Sequence, residues 1–282
     1  MPVCQMRDGA RLTYAEDGAG PPVLLVHGWA AHGGFFRDLQ TRLAAHYRVI
    51  APTLRGHPGS DRGTLPLCIE TLADDLVTLT EALGLESIVA LGWSMGAMAL
   101  WAAAPRLGGR LAGLIIEDMS PRLVNDAGWR FGLSGYAAAD VYETLKEIGA
   151  DWPAHVSRFA PRMFAPGARA SDGRQIDWAI AEMSKAEPSA MASLWSSMAA
   201  QDFRAALLRI QTPMLTLHGA ESQVYPDGAS AFIAHTAPHA QRIAVAGAGH
   251  VPHLEAPDAF FEQVAAFVHK VRQSNLIRGG VQ

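Results

Sequence analysis

The sequence predicts an α/β fold, a mostly parallel sheet covered by helices on both faces and interrupted by one helical insertion. Three observations lead there. Short, wholly apolar runs rich in Val, Ile and Leu alternate with amphipathic helical stretches along most of the chain, the pattern of repeated βαβ units whose strands are buried on both faces. The 282 residues, 49% of them apolar, suffice to bury a substantial core in one large domain or in one domain with an insertion. The alternation lapses once, over about 122–205, where helix-like stretches continue without a convincing strand.

The elements follow in order. "VCQMRDGARLTYAED" alternates about the Asp8-Gly9 turn and predicts an opening hairpin. "PPVLLVHG" and "YRVIAPTLRG" are strands, with the amphipathic helix "FFRDLQTRLAAHY" between them. "IETLADDLVTLTEALGL" is a helix whose Leu72, Leu76, Leu79 and Leu83 form one stripe. "SIVALGW" and "LAGLIIED" are buried strands joined by the helix "SMGAMALWAAAPRL". In the insertion, "GYAAADVYETLKEIG" and "QIDWAIAEMSKAEPSAMASLWSSMAA" are helix-like. The strand "TPMLTLHG" then resumes the alternation, followed by a helix near "DGASAFIAHTA", the strand "QRIAVAG" and a last helix, "DAFFEQVAAFVHKVRQ". The expected division is a core of 1–121 and 206–282 around an insertion of 122–205. The insertion is rich in Trp and Met, including Trp129, Trp152, Trp178, Trp195, Met163, Met183, Met191 and Met198. Such side chains anchor an insertion to a core, and they also line apolar pockets.

Composition narrows the partners. A net charge of −4 and a pI near 6.2 argue against a nucleic-acid surface. Cys4 and Cys68 lie in unrelated contexts without metal-ligand spacing, so neither a disulfide framework nor a zinc site is expected. The N-terminal stretch lacks a basic region followed by an apolar one, and no run reaches the length of a membrane span, so a cytoplasmic protein without membrane contact is expected.

The chemistry concentrates in "GWSMG", residues 92–96, a Gly-x-Ser-x-Gly pattern placed where a strand ends and an alanine-rich helix begins. So sharp a strand-to-helix turn strains its central residue, and the flanking glycines let backbones pass, so Ser94 is presented above the sheet edge. A serine hydroxyl needs a base to become a nucleophile. Of the eleven histidines, His250 is the candidate, because "AVAGAGHVPHLEAP" places it in a Gly-rich loop between the last strand and the last helix. His253 is the local competitor, while His27, His57 and His218 are loop hydrogen-bonders. Acyl transfer also needs two N–H donors for the developing oxyanion. The Met95 N–H follows the nucleophile directly, and "VHGWAAHG" supplies the second, from Trp29.

"LLVHGW", "APTLRGHPGS", "LGWSMGAMAL", "LIIEDMSP" and "GAGHVPHLEAP", in that order and spacing, resemble the α/β-hydrolase superfamily. The "HGW" and "GWSMG" loops are similar to those of small carboxylesterases and thioesterases, the esterase of biotin synthesis among them. The resemblance covers about 10–121 and 206–270 and leaves the insertion unmatched. It implies the α/β-hydrolase fold, an oxyanion donor in the residue after "HG", here Trp29, and a cap formed by the insertion over an acyl pocket. Thr53 and Pro58 depart from the family's Asp and Gly around the "LRGHP" loop that follows "YRVIAP", with more bearing on loop shape than on chemistry.

The acid is the departure with chemical weight. The resemblance places it in the strand-seven loop, three residues after the glycine of "HG", which is Ser222 here. A serine cannot balance an imidazolium. Glu221 is adjacent and Asp227 slightly further on. The other solution within the superfamily puts the acid at the end of strand six, where Asp118 follows "GLIIE"; Glu117 would point to the opposite face. Asp118 is the expected acid, with Glu221 the alternative, then Glu117 or no functional acid.

The expected activity is therefore two-step hydrolysis of carboxylic esters with short to medium acyl chains, by Ser94, His250 and Asp118 with the N–H groups of Trp29 and Met95. No cofactor or metal is expected, and the partner is a small-molecule ester. A serine at 94 argues against dehalogenase or epoxide-hydrolase chemistry, for which the resemblance implies an aspartate there. A thioesterase or acyltransferase is the second enzymatic reading, supported by Arg122, Arg130, Arg158, Arg162 and Arg169 on the insertion. A non-catalytic, ligand-binding homologue is the third, motivated by Ser222.

Overall fold

The computed structural model describes residues 1–279, with backbone alone for 169–172 and 275–279. β1 (Val3–Gln5) and β2 (Arg11–Asp17) form the hairpin expected at Asp8-Gly9, pairing Cys4 with Leu12. β3 (Pro22–Val26), α1 (Arg37–Leu43), β4 (Arg48–Pro52), α2 (Ile69–Ala82), β5 (Ile88–Trp93), α3 (Met95–Leu107) and β6 (Leu111–Glu117) complete the first half. Leu72, Leu76 and Leu79 are buried as the stripe in α2 requires. After the insertion come β7 (Met214–Gly219), α9 (Asp227–Thr236), β8 (Ala240–Val245), the short α10 (Pro252–Glu255) and α11 (Pro257–Gly279).

The strands make one eight-stranded sheet in the order β1-β2-β4-β3-β5-β6-β7-β8, antiparallel only in the β1-β2 and β2-β4 pairs. The chain leaves β3 on one side to form β4 and returns on the other to form β5. Those two neighbours therefore flank a topological switch point, where the loops after the strands diverge and leave a crevice. β5 and β7 are buried throughout, as continuous apolar runs in a parallel sheet must be. β8 differs from the expectation of fully buried strands. It is the sheet edge and exposes Gln241 and Arg242, and such polar residues discourage pairing with another chain.

Between β6 and β7 the described residues hold no named strand. α4 (Ala138–Ala150), α5 (Trp152–Phe159), α6 (Ala168–Met183), α7 (Pro188–Ala200) and α8 (Arg204–Leu207) fill the interval, with a 3-10 turn at Ala160–Met163. The long helix-like stretch from Gln175 to Ala200 divides in two, because Pro188 has no N–H to continue a helix and opens α7 instead. α5 was not separately anticipated, although its start is local chemistry. The Asp151 carboxylate accepts the Ala154 N–H at 3.0 Å and Pro153 sits in the first turn. Trp152, Trp195, Met163, Met183, Met191 and Met198 are buried and join the core cluster, while Trp178 remains partly exposed against Phe35.

Candidate active site

The carboxyl ends of β3, β5, β6 and β7 bring together residues far apart in the chain. Ser94 follows β5 with φ 52° and ψ −121°, a conformation L residues avoid at about 1–3 kcal/mol. Two glycines make the turn possible. A Cβ on Gly96 would stand 2.2 Å from the Val26 carbonyl oxygen, and one on Gly92 would stand 2.6 Å from the Ala97 nitrogen. The Ser94 N–H donates to the Glu117 carbonyl of β6 at 3.0 Å, fixing the elbow to the neighbouring strand. Ser94 keeps partial exposure, whereas Trp93 and Met95 on either side are buried.

Asp118 lies directly past β6, also at positive φ, 39°. Its Oδ2 is 2.7 Å from His250 Nδ1 and accepts the Ser222 hydroxyl at 2.7 Å. Its Oδ1 is 2.6 Å from His218 Nδ1 and accepts the Gly219 N–H at 3.3 Å. Burial pushes the carboxyl up, yet the hydrogen bonds from His218 and His250 outweigh it and hold the group below its ordinary value. A buried carboxylate with four donors is ionised and fixed in orientation.

His250 is held from three sides. Its N–H donates to the Met163 carbonyl at 2.6 Å, its carbonyl accepts Trp93 Nε1–H at 2.8 Å, and its Nδ1 faces Asp118. Glu255 ties the loop from beneath, accepting the Gly249 N–H at 2.6 Å and the Ala165 N–H at 2.7 Å. With Nδ1 committed to Asp118, the free ring nitrogen is Nε2, and the ring lines one small cavity with Ser94 and Trp29. The Met95 N–H opens α3, where first-turn amides have no intrahelical acceptor. Among the described residues no protein acceptor takes it or the Trp29 N–H.

The alternatives separate in space. Glu117 is buried and engages His253, whose Nδ1 lies 2.6 Å from Oε1, while the His253 N–H donates to the same oxygen at 3.1 Å. Glu221 is exposed beside a different groove, and among the described residues it makes no hydrogen bond to His250. Asp227 reaches His218 at 3.7 Å and pairs with Arg242. His27 and His57 are buried and kept neutral chiefly by that burial, His57 at about 4. Of the insertion arginines, Arg122 pairs with Asp126 and Arg158 with Glu147, and the Arg169 side chain lies outside the described residues. No cluster of His, Cys, Asp and Glu among the described residues is arranged to hold a metal. None of their helices is long and apolar enough to cross a membrane.

Sequence reasoning missed His218 as a partner of Asp118, Ser222 as its donor and Glu255 as the brace of the histidine loop. The first has a structural origin in register. β6 and β7 pair Glu117 with Leu217, so Asp118 comes level with His218. That register is invisible in a single sequence.

Strand order and elbow together define a class, the hydrolases built on an α/β sheet. The chain belongs to the alpha/beta hydrolase fold family, whose model matches residues 21–257. A pimeloyl-[acyl-carrier protein] methyl ester esterase of Xanthomonas oryzae is 30% identical over 256 residues, covering 90% of this chain and 97% of that one. An esterase from Exiguobacterium antarcticum superposes with a TM-score of 0.88 at 22% identity, covering 95% of this chain and 98% of the other. A thermophilic esterase from Thermogutta terrifontis does so with 0.85 at 26% identity, over 96% and 99%. These similar proteins are esterases, the class of enzyme the sequence leads one to expect.

Proposed function

We propose that the protein hydrolyses carboxylic esters through an acyl-enzyme on Ser94, with His250 as base and Asp118 as the acid that orients it. The observation that carries this reading is the 2.7 Å contact between His250 Nδ1 and Asp118 Oδ2, in a ring that shares its cavity with Ser94. Nδ1–H given to Asp118 leaves Nε2 unprotonated and able to accept the Ser94 proton as the hydroxyl attacks the ester carbonyl. The charge that builds on the carbonyl oxygen is met by the N–H groups of Trp29 and Met95, both without competing acceptors among the described residues. The imidazolium then protonates the departing alcohol. Water, deprotonated by the same histidine, cleaves the acyl-enzyme and restores Ser94. Residues 122–205 act as a cap over this cavity, to which they contribute Leu123, Leu133, Phe159, Met163, Trp195 and Met198.

p-Nitrophenyl acetate and butyrate test the reading. Turnover by the wild type and its loss in Ser94→Ala support it, and turnover indifferent to Ser94 rejects it. A methyl ester on an acyl chain borne by acyl carrier protein is a more specific substrate. It is favoured by the 30% identity, over nine-tenths of this chain, to an enzyme named for that reaction. A kcat/KM higher for the carrier-borne methyl ester than for the free methyl ester is the result expected.

A further inference from the structure

The cavity that holds Ser94 and His250 has a volume of about 20 Å³, room for about one water. An ester cannot enter it as it stands. Beside it, between α4 and α5, lies an outer cavity of about 510 Å³, within the range of ligand sites. Leu133, Phe159, Trp195 and Val224 line both cavities and so form the partition between them.

Three of the four are fixed. Trp195 is buried and donates Nε1–H to the Tyr136 hydroxyl at 2.7 Å. Leu133 is buried and bonded through its N–H to the Leu123 carbonyl at 2.8 Å. Val224 is buried, with its carbonyl accepting the Ser134 N–H at 2.9 Å. Phe159 differs from them in burial. It is only half-buried, its side chain can make no hydrogen bond, and it stands where α5 passes into the 3-10 turn at Ala160–Met163. Its ring packs against the edge of the core, with Trp29 at 5.6 Å, Trp195 at 6.1 Å and His155 stacked at 6.3 Å. Contacts of this kind are worth about 0.5–1.5 kcal/mol each. A rotamer change of one such ring is within thermal reach on a timescale far shorter than catalytic turnover.

We propose that Phe159 is a specificity-determining residue, a movable partition whose displacement joins the two cavities and admits the acyl chain of the substrate. The inference rests on the ester-hydrolase reading and adds the substrate's shape. The acyl part is linear and apolar where it passes Phe159 and Trp195. Its far end is polar, because the outer cavity carries Tyr136, Glu143, Glu147, Arg158 and Arg162. His155, which stacks on Phe159 and lines the outer cavity, has its Nδ1 3.3 Å from Glu147 Oε2 on the wall of that cavity.

The test is kcat/KM for p-nitrophenyl acetate, butyrate and octanoate in wild type, Phe159→Ala, Phe159→Leu and Phe159→Trp, with thermal melting to confirm folding. Removing the ring is expected to raise the octanoate-to-acetate ratio roughly 10-fold or more, the scale of a few methylenes gaining a pocket. Enlarging it in Phe159→Trp is expected to lower the ratio. Phe159→Leu gives an intermediate ratio and keeps the test intact if the alanine variant fails to fold. An unchanged ratio in the folded variants, with turnover still dependent on Ser94, overturns the partition while leaving the ester-hydrolase reading in place. Absence of Ser94-dependent turnover on every ester overturns that reading, and this inference with it.

Discussion

At the scale of residues, a carboxylate meets His250 although the strand-seven position carries a serine. The serine that stands where the family's usual acid would be donates its hydroxyl to Asp118 Oδ2, the oxygen that also meets His250 Nδ1, both at 2.7 Å. Ser222 and His250 thus converge on one atom, and a carboxylate at 222 would arrive close to the histidine from the β7 side. The variant Asp118→Asn/Ser222→Asp is expected to recover at least 10-fold of the activity lost in Asp118→Asn, on the scale of one hydrogen bond to a charged group. No recovery in a folded double variant would show that the two positions are not interchangeable. The lowered Asp118 pKa also has a stability signature. An ionised carboxylate held below its unfolded value of about 3.9 stabilises the fold above that pH, and the contribution is lost as pH falls through the lowered folded value. The melting temperature of wild type should therefore fall more steeply than that of Asp118→Asn as the pH drops below about 4, and parallel curves would contradict it. That Ser94, Asp118 and His250 stand at strand ends was legible, because strand-end loops and a short pattern announce them. The Ser222 and His218 contacts were not, since they depend on the register between β6 and β7.

At the scale of elements, the tip of β6 carries two consecutive carboxylates used in opposite directions. Asp118 faces the His250 loop, while Glu117 is buried against His253 at the start of α10, with its Oε2 and His253 Nε2 left without partners among the described residues. Its backbone carbonyl meanwhile holds the Ser94 N–H. Glu117 and His253 thereby brace the strand against the helix that follows His250. Removing one partner of such a buried pair leaves a polar or charged group without compensation, at about 3–5 kcal/mol. His253→Ala is expected to cost that much in urea unfolding, and Glu117→Gln/His253→Ala to be more stable than His253→Ala alone, because the stranded charge is gone. Strictly additive effects would refute the coupling. The elbow makes a similar demand. Gly96→Ala places a methyl group against the Val26 carbonyl oxygen and should lower stability by about 1–3 kcal/mol, read as a fall in melting temperature. The two carboxylates could be read from strand alternation, since adjacent residues point to opposite faces. The division of the α6–α7 stretch at Pro188 also had a local cause in the sequence. The exposure of β8 did not, because edge position is a property of sheet order.

At the scale of the molecule, the site is assembled from two distant parts of the chain. Ser94, Trp29 and Asp118 come from the first six strands, and His250 from the loop after the eighth. The helical insertion between β6 and β7 touches this assembly directly, through the Met163 carbonyl on the His250 N–H and through Glu255 bridging Gly249 and Ala165. Alternation of apolar strands and helices was enough to foresee the sheet and the interruption. What the interruption encloses depends on how Trp152, Phe159 and Trp195 pack edge to face around Trp29, and a linear pattern carries no record of that. The central claim is that Asp118, at the end of β6, performs the role that the family usually gives to the strand-seven loop. It is tested most directly by the kcat of Asp118→Asn beside Glu221→Gln on p-nitrophenyl butyrate. The account predicts a fall of about 10³- to 10⁴-fold in the first and a change within about 2-fold in the second; near-normal turnover in a folded Asp118→Asn would contradict it.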